Sequence, residues 1–593
     1  MMHSIGLRNR NVIPSMFISV AIAMIFTNVM SVVATIIDGV ITSRFLGSFH
    51  YSSISLLSPV MSFFLLFSAS IATGCQIVSS KAIGVGNKDE ANAAFSYSLI
   101  YASLMAVFVL GFCWFFPTLL FRITGVSLSS HRNLYTQMMS YLHGYMPGIP
   151  FLILIQVMVP IIVMDGGKSR FTISSVLFLL TDLVGDLLNV LVFEGGIFGM
   201  GFASSVSYFV QFLVLIFHFA SKKSYFRLSF KNIRRNLVSE IGKAGNPTTI
   251  KKLFSVLRDI VINRINLSVA VSAAAIVALG IQNDLNTLLL SISIGIGNAL
   301  LSMTSIYYSA QDRVGLRKLF SFSMSFSAVI SGLACVVVFF IAPGLAFSYT
   351  KDKEVLDLSV FSIRCMALSI PLETMSSSFQ SYLQGVRKRK TVNGISFFER
   401  FFIPVLAAVF LARIFGSKGV LASIFLSKLF LVIVMLLIVL VRNKHIPKDI
   451  YEWMLLPDDF GGSEDNNLYI RIKTMDDVVK ARDDSEQFCV KHGIEDKRAL
   501  YCALFIEEMA GNVVLHGKRK RFNSVCCDFR LFINENKISI TLRDYCRQFD
   551  PSRYIEQNQN EEKGLGIKLV KSLSSEFRYF SAFNSNNLII VID

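Results

Sequence analysis

The chain has 593 residues, 53% of them hydrophobic and 16% charged, with a net charge of +17. An ordinary soluble domain carries about 25% charged residues, which excludes water as the neighbour of most of this exterior. A nucleic-acid footprint is excluded too: residues 467–593 hold 20 Lys/Arg against 18 Asp/Glu, so +15 of the charge lies in the apolar remainder. There it sits in short loops between apolar runs, as the positive-inside rule expects.

Runs long enough to cross a bilayer, about 20 residues each, fall near 14–42, 51–80, 92–118, 136–164, 171–194 and 199–220. After a basic stretch they resume near 252–276, 279–308, 319–348, 356–384, 393–414 and 419–441. The first run is too long for a secretory leader and continues into further spans. Twelve spans put both termini on one side. The loops on that side hold about 25 Lys/Arg and those on the other about 7, which predicts cytoplasmic termini in an inner (plasma) membrane. The expected partition is a first six-helix unit over 1–221, a basic connector over 222–251, a second unit over 252–441, a linker over 442–466 and a soluble domain over 467–593. Nine cysteines without a CxxC pair fit a reduced cytosol better than disulfides or zinc.

The two halves echo each other. Gly166, Lys168-Ser169-Arg170 and Thr172 follow the fourth span, and Gly385, Arg387 to Lys390 and Thr391 follow the tenth. Two six-helix units of the same orientation form a parallel repeat, and transporters place substrate between such units.

Ionisable groups inside spans are costly in lipid and mark cavities, partners or ion paths. Asp38 lies late in the first span. Asp182 and Asp186 share a face of the fifth at i and i+4, with Asn189 a turn further. Arg258, Asp259 and Arg264 fall in the seventh, Asp284 in the eighth, Glu373 in the tenth and Glu399 in the eleventh. Carboxylates in a low-dielectric cavity suit a proton site. Two or three of them with Asn189 and carbonyl oxygens suit Na⁺ instead. Neighbouring pairs such as Glu399 with Arg400 are equally readable as structural.

Ile37-Asp38-Gly39-Val40-Ile41-Thr42-Ser43-Arg44-Phe45-Leu46-Gly47, Ala72-Thr73-Gly74, Gly84-Val85-Gly86-Asn87-Lys88-Asp89-Glu90-Ala91 and Gly242-Lys-Ala-Gly245-Asn-Pro247 resemble the multidrug and toxic compound extrusion family over residues 10–445. The resemblance implies an all-α polytopic fold of two six-helix repeats that exports small organic compounds against H⁺ or Na⁺. Its coupling residues would be Asp38 and Asp186, with Asp182 and Asn189 beside them. A lipid-linked saccharide flippase is the alternative within the same larger group.

Beyond Val441 the pattern becomes that of an α/β domain, with helices near 475–492, 497–516 and 564–574 and strands near 468–473, 523–533, 536–543, 577–582 and 587–592. Glu508 and Asn512 lie one turn apart on one helix face. An Asn oxygen there suits Mg²⁺ and a carboxylate suits general-base work. Asp544 ends a strand where it can accept from an adenine amino group. Gly564-Leu565-Gly566 opens a helix whose free N–H groups suit phosphate.

In this order the residues resemble the histidine-kinase-like ATPases, particularly the anti-sigma-factor serine kinases. That resemblance implies Mg–ATP with Asn512 on the metal, Glu508 as catalytic base, Asp544 on adenine, and Gly564 and Gly566 in the phosphate lid. It also opens another reading: a membrane signalling protein whose tail phosphorylates or sequesters an anti-anti-sigma-type partner. The chain departs from the family where glycines usually follow the adenine Asp, since Cys546 and Gln548 stand there. Lys518 to Arg521 reads as a solvated turn, at most touching anionic headgroups.

Overall fold

The computed structural model describes residues 12–593 except 124–125, 127–131, 221–223, 230–234, 269–272, 350–351, 458–459, 463, 518–526, 535–536, 545, 558–563 and 584. The Lys518–Arg521 run therefore lies outside the described residues, as do the side chains of Asp259, Arg264 and Asp284.

The first half contains α1 (Val12–Ile41), α2 (Ser48–Gly84), α3 (Lys88–Phe115), the short α4 (Pro117–Ile123), α5 (Arg132–Tyr145) running into α6 (Ile149–Met164), α7 (Lys168–Leu188) and α8 (Gly196–Phe219). The second contains α9 (Arg235–Ser268), α10 (Ala273–Ser309), α11 (Arg313–Tyr349), α12 (Lys353–Gly385), α13 (Arg389–Phe397) and α14 (Ile403–Asn443). Helix α9 thus begins well inside the expected connector. Among the described residues, nine continuous helical runs are long and apolar enough to cross a membrane. The Arg389–Asn443 run is two crossings joined at Gly416, whose φ of 57° and ψ of −135° break the helix. With α2 and α9 each half makes six passes. Leu104, Val107, Phe108, Trp114 and Phe115 on α3, and Val329, Leu333, Val336 and Phe340 on α11, stand exposed, a lipid-facing surface in which every backbone polar group is satisfied within its own helix.

Four turns show the repeat in the backbone. After α2, Gly86 N donates to Ile83 O and Asn87 N to Ala82 O. After α10, Gln311 N donates to Tyr308 O and Asp312 N to Tyr307 O. The turns after α6 (Gly166 to Val163, Gly167 to Ile162) and α12 (Arg387 to Gln384, Lys388 to Leu383) have the same paired bonds. Gly86, Gln311, Gly166 and Arg387 all take positive φ, as a C-terminal helix stop requires. The basic-Gly echoes between the halves are these stops.

The halves meet through α1 and α2 against α9 and α10. Gln76 donates to Asn298 O (3.0 Å) and to Ser302 Oγ (2.5 Å), and Ser305 donates to Ile77 O (3.0 Å). A Cβ on Gly74 would strike the Ile241 carbonyl, and one on Gly245 the Ser70 carbonyl. These glycines let the two backbones touch, as small residues do between membrane helices.

The segment after α14 is pinned down. Arg317 pairs with Asp449 (3.1 Å), Tyr382 donates to Met454 O (3.1 Å) and Phe460 stacks on Tyr308. It includes the single turn α15 (Ile450–Trp453). Then come β1 (Asn467–Ile472), α16 (Met475–Lys491), α17 (Asp496–His516), β2 (Cys527–Asn534), β3 (Lys537–Asp544), α18 (Pro551–Gln557), α19 (Leu565–Leu573), β4 (Glu576–Ala582) and β5 (Ser585–Ile592). The sheet is antiparallel throughout in the order β1-β2-β3-β5-β4. Phe529, Leu531, Ile538, Ile540, Leu542 and Ile590 pack under α16, α17 and α19 in a core of their own. Sequence reading placed every one of these elements but α18.

The other sheet face is polar: Tyr469 and Arg471 on β1, Asp528 and Arg530 on β2, Arg543 on β3 and Asn587 on β5 alternate with the apolar set. Such a face ordinarily meets water. Here Asp528, Arg530, Arg543 and Asn587 are buried, because the face lies on the ends of α10 and α11.

Candidate functional site

In the first half the structure brings Asp38, Asp182 and Asp186 together. Helix α1 crosses α7 so that the Asp38 carboxyl neighbours both carboxyls on α7. Asp182 and Asp186 are 2% and 0% exposed. Ser204 and Ser207 of α8 lie beside Asp182, and Tyr141, Tyr145 and Tyr208 neighbour the group. Both oxygens of Asp186 and one each of Asp38 and Asp182 have no hydrogen-bond partner. Among the described residues no cationic side chain acts on the trio.

The cluster sits where helices deviate from α geometry. Residues Thr42–Leu46 finish α1 and Asn189–Phe193 finish α7 as π turns, a feature frequent at functional sites. Asn189 opens the second of these, and its amide is engaged: Nδ2 donates to Gly196 O at 2.9 Å, and its side chain fills the space a Cβ on Gly199 would take. Among the described residues no three carboxylates, imidazoles or thiols are arranged to hold a metal ion by themselves.

The second half buries carboxylates in the opposite company. Glu399, in the π turn Phe398–Phe402, lies 3.0 Å from Lys428 Nζ and 3.8 Å from Arg400. Glu373 on α12 lies 3.2 Å from Arg400 and 3.4 Å from Lys428. Gln380 donates to Glu399 and to Ser376, and accepts from Ser396. Lys251 of α9 belongs to the same charge group. Lys428 and Lys251 are the members that sequence reading missed; for Lys428 a lone Lys inside the apolar run 419–441 was the signal available.

In the C-terminal domain, Asp544 ends β3 on the helix-covered face and is 6% exposed. Its Oδ1 accepts from Cys546 N (2.7 Å) and Asn586 Nδ2 (2.9 Å). Gly564 caps α19 with φ of 76°. Gly566 lies directly against the Glu508 carboxylate, so a Cβ there would overlap it. Asn512 is one turn beyond Glu508 on α17, partly exposed. A buried carboxylate, an amide oxygen and a glycine-opened helix start are the donor and acceptor types that adenine, Mg²⁺ and phosphate need. They fit Mg–ATP in kind, with Asp544 on the base, Asn512 on the metal and the start of α19 on phosphate. Cys546 has its Sγ 2.6 Å from where a Cβ on Gly517 would lie, so the residue replacing the family's glycine fills space beside α17.

Comparison with known proteins gives a match to the MatE family over residues 23–188 and 247–410, and to the histidine kinase-like ATPase domain over 473–592. The probable multidrug resistance protein YoeA of Bacillus subtilis is 21% identical over 350 residues, covering 56% of this chain and 73% of YoeA. Among solved structures, an outward-facing multidrug resistance MATE family transporter of the MOP superfamily aligns with a TM-score of 0.67 at 17% identity, over 72% of this chain and 94% of that one. A MOP superfamily transporter from Pyrococcus furiosus, described as having a binding pocket of reversed polarity, aligns at 0.66 and 16% identity over 72% and 94%.

Proposed function

This chain belongs to the MatE family, and from that premise we propose that it exports small organic compounds in exchange for a cation taken up at Asp38, Asp182 and Asp186. The observation that carries this reading is three contiguous carboxylates with no cation beside them. Neighbouring like charges in a low-dielectric interior repel strongly, so the trio calls for a mobile positive charge. A proton suits it better than Na⁺, because among the described residues the carboxylates are not arranged to cage a metal ion by themselves. When the proton is held, one carboxyl donates to another. When it leaves, the helices carrying them are pushed apart, which links ion release to the relation of α1 and α7.

The basic loops favour cytoplasmic termini in a plasma-membrane protein, as the positive-inside rule expects. The C-terminal domain then lies in the cytoplasm, binds Mg–ATP at Asp544, Asn512 and the start of α19, and regulates transport. Its helix face, α17 and α19, is the surface left for a soluble protein partner, since the sheet face is occupied.

Proteoliposomes containing the full chain, loaded with a cationic fluorescent dye, test the export reading. An imposed pH gradient should drive dye movement in the wild type and not in Asp38→Asn. Movement driven only by Na⁺ would replace the proton with Na⁺, and unimpaired movement in Asp38→Asn would remove this site from the mechanism. Binding of a fluorescent ATP analogue, lost in Asp544→Asn and made Mg²⁺-independent by Asn512→Ala, tests the nucleotide site.

A further inference from the structure

The C-terminal domain touches both halves of the membrane domain at once. Toward the first half, Phe583 N donates to Met164 O at the end of α6 (2.8 Å), and Arg578 donates to Val85 O at the end of α2. Toward the second half, Arg543 lies over the Tyr307 ring at 4.4 Å and pairs with Asp312 at 3.5 Å. Arg530 donates to Gln311 O at 2.8 Å, and Lys318 sits 3.9 Å over the Tyr469 ring. Between these two sets of contacts the β4–β5 turn enters the seam. Phe580, Ala582 and Phe583 are buried in the same apolar cluster as Met16, Phe17, Met164 and Tyr307. A small cavity there is lined by Met16 of α1, Met303 and Ile306 of α10, and Ala582 and Phe583.

We propose that this domain is a wedge: its β4–β5 turn and polar sheet face hold the two halves together at this end, and transport requires the wedge to lift. The polar face is suited to a reversible contact. Across it, Arg543 of the sheet pairs with Asp312 at the end of α10 (3.5 Å), and Asp528 faces the charge of Lys318 on α11. Burial pushes the Asp528 carboxyl above its usual range, against the pull of Arg543, Arg471 and Lys318. Charge pairs with that balance cost little to exchange for water.

The release signal has a structural route. Arg543 and Asp544 are successive residues of β3 and so point to opposite faces. Asn586 and Asn587 on β5 do the same: Asn586 donates to Asp544, while Asn587 accepts from Arg543 at 2.8 Å. A ligand that takes over Asp544 draws on the two strand ends that carry the dock. This inference rests on the export reading, and the test separates them.

Because residues 444–466 already tie the domain to the second half, one bond to the first half closes the clamp. A Cβ on Gly86 would lie 3.2 Å from Arg578 Cβ, near the separation of about 3.8 Å typical of disulfides. Gly86→Cys with Arg578→Cys, in the full chain also carrying Ser302→Cys as a reporter in the seam between the halves, should cross-link on oxidation, as read by peptide mass. Oxidised protein should then transport dye at least about tenfold more slowly than reduced protein, and its Ser302→Cys thiol should resist a water-soluble maleimide that labels it after reduction. Equal transport and equal labelling in both states would overturn the wedge and leave the export reading intact. Redox-dependent labelling without dye movement in either state would support the wedge and overturn export of that dye. Failure to cross-link in protein whose reduced form transports dye, and so tolerates a side chain at the positive φ of Gly86, would overturn the docked arrangement.

Discussion

Both halves of the membrane domain bury carboxylates on their fifth pass, Asp182 and Asp186 on α7 and Glu399 in the π turn within the α13–α14 run, but they neutralise them by different means. In the first half Asp38, Asp182 and Asp186 face one another without a cation. In the second, Lys428 and Arg400 lie between Glu373 and Glu399, with Lys251 close by. The first cluster must take its positive charge from solution, and the second carries its own. A repeat fold therefore need not repeat its chemistry: one half is free to bind and release an ion, while the other is locked as a fixed ion-pair network whose members brace α12 against both parts of the α13–α14 run. Buried ion pairs are weak evidence of stability when intact and costly when broken, so the comparison makes opposite forecasts for the two halves.

The largest effect belongs to the first half. Asp38→Asn should bring gradient-driven export to background, with the amount of folded membrane protein within about twofold of wild type, because the change removes a charge that had no partner. A comparable loss of export from Glu399→Gln, with normal folding, would break the comparison by making the second half an ion site as well.

Lys428→Met should act on folding first. It leaves two buried carboxylates short of a partner, at an expected cost of about 3–5 kcal/mol, read as a lower melting temperature in detergent. Adding Glu399→Gln should recover most of that loss, since the double variant removes one charge of each sign. Unchanged melting in Lys428→Met would show that the network is not what holds these helices.

The smallest effect sharpens the choice of ion. Gly199→Ala places a methyl where the Asn189 amide lies, an overpacking expected to cost about 1–3 kcal/mol. Proton-driven export should persist in this variant. A selective loss of Na⁺-driven export would return Asn189 to the ion site.

Much of this architecture is legible in the residues. Apolar runs mark the passes, basic-Gly stops mark the repeat, and alternation in 527–544 marks the sheet strands with their two faces. Asp182 and Asp186 are readable as a pair because local spacing puts them on one face. That Asp38 meets them is not readable, since it depends on how α1 crosses α7. Lys428 was missed for the same reason: its partners lie 29 and 55 residues earlier and on other helices. The polar sheet face was legible as polar, but polarity alone does not say whether it meets water or another domain. Nor does a glycine pattern reveal that Gly566 closes on Glu508.

The seating of Phe580, Ala582 and Phe583 among α1, α6 and α10 also bears on how the molecule is made. A ribosome delivers those helices to the bilayer long before it reaches residue 580. Until then the apolar seat around Met16, Met164 and Tyr307 lacks the side chains that complete it. The nascent protein thus passes through a stage in which its membrane part is inserted yet its core is unfinished, and synthesis stopped short of β4 would leave that gap permanently open to chaperones and proteases. Completion of the apolar core between the halves is in this way a late event in translation, and every inserted protein with that core filled carries its C-terminal domain folded in place.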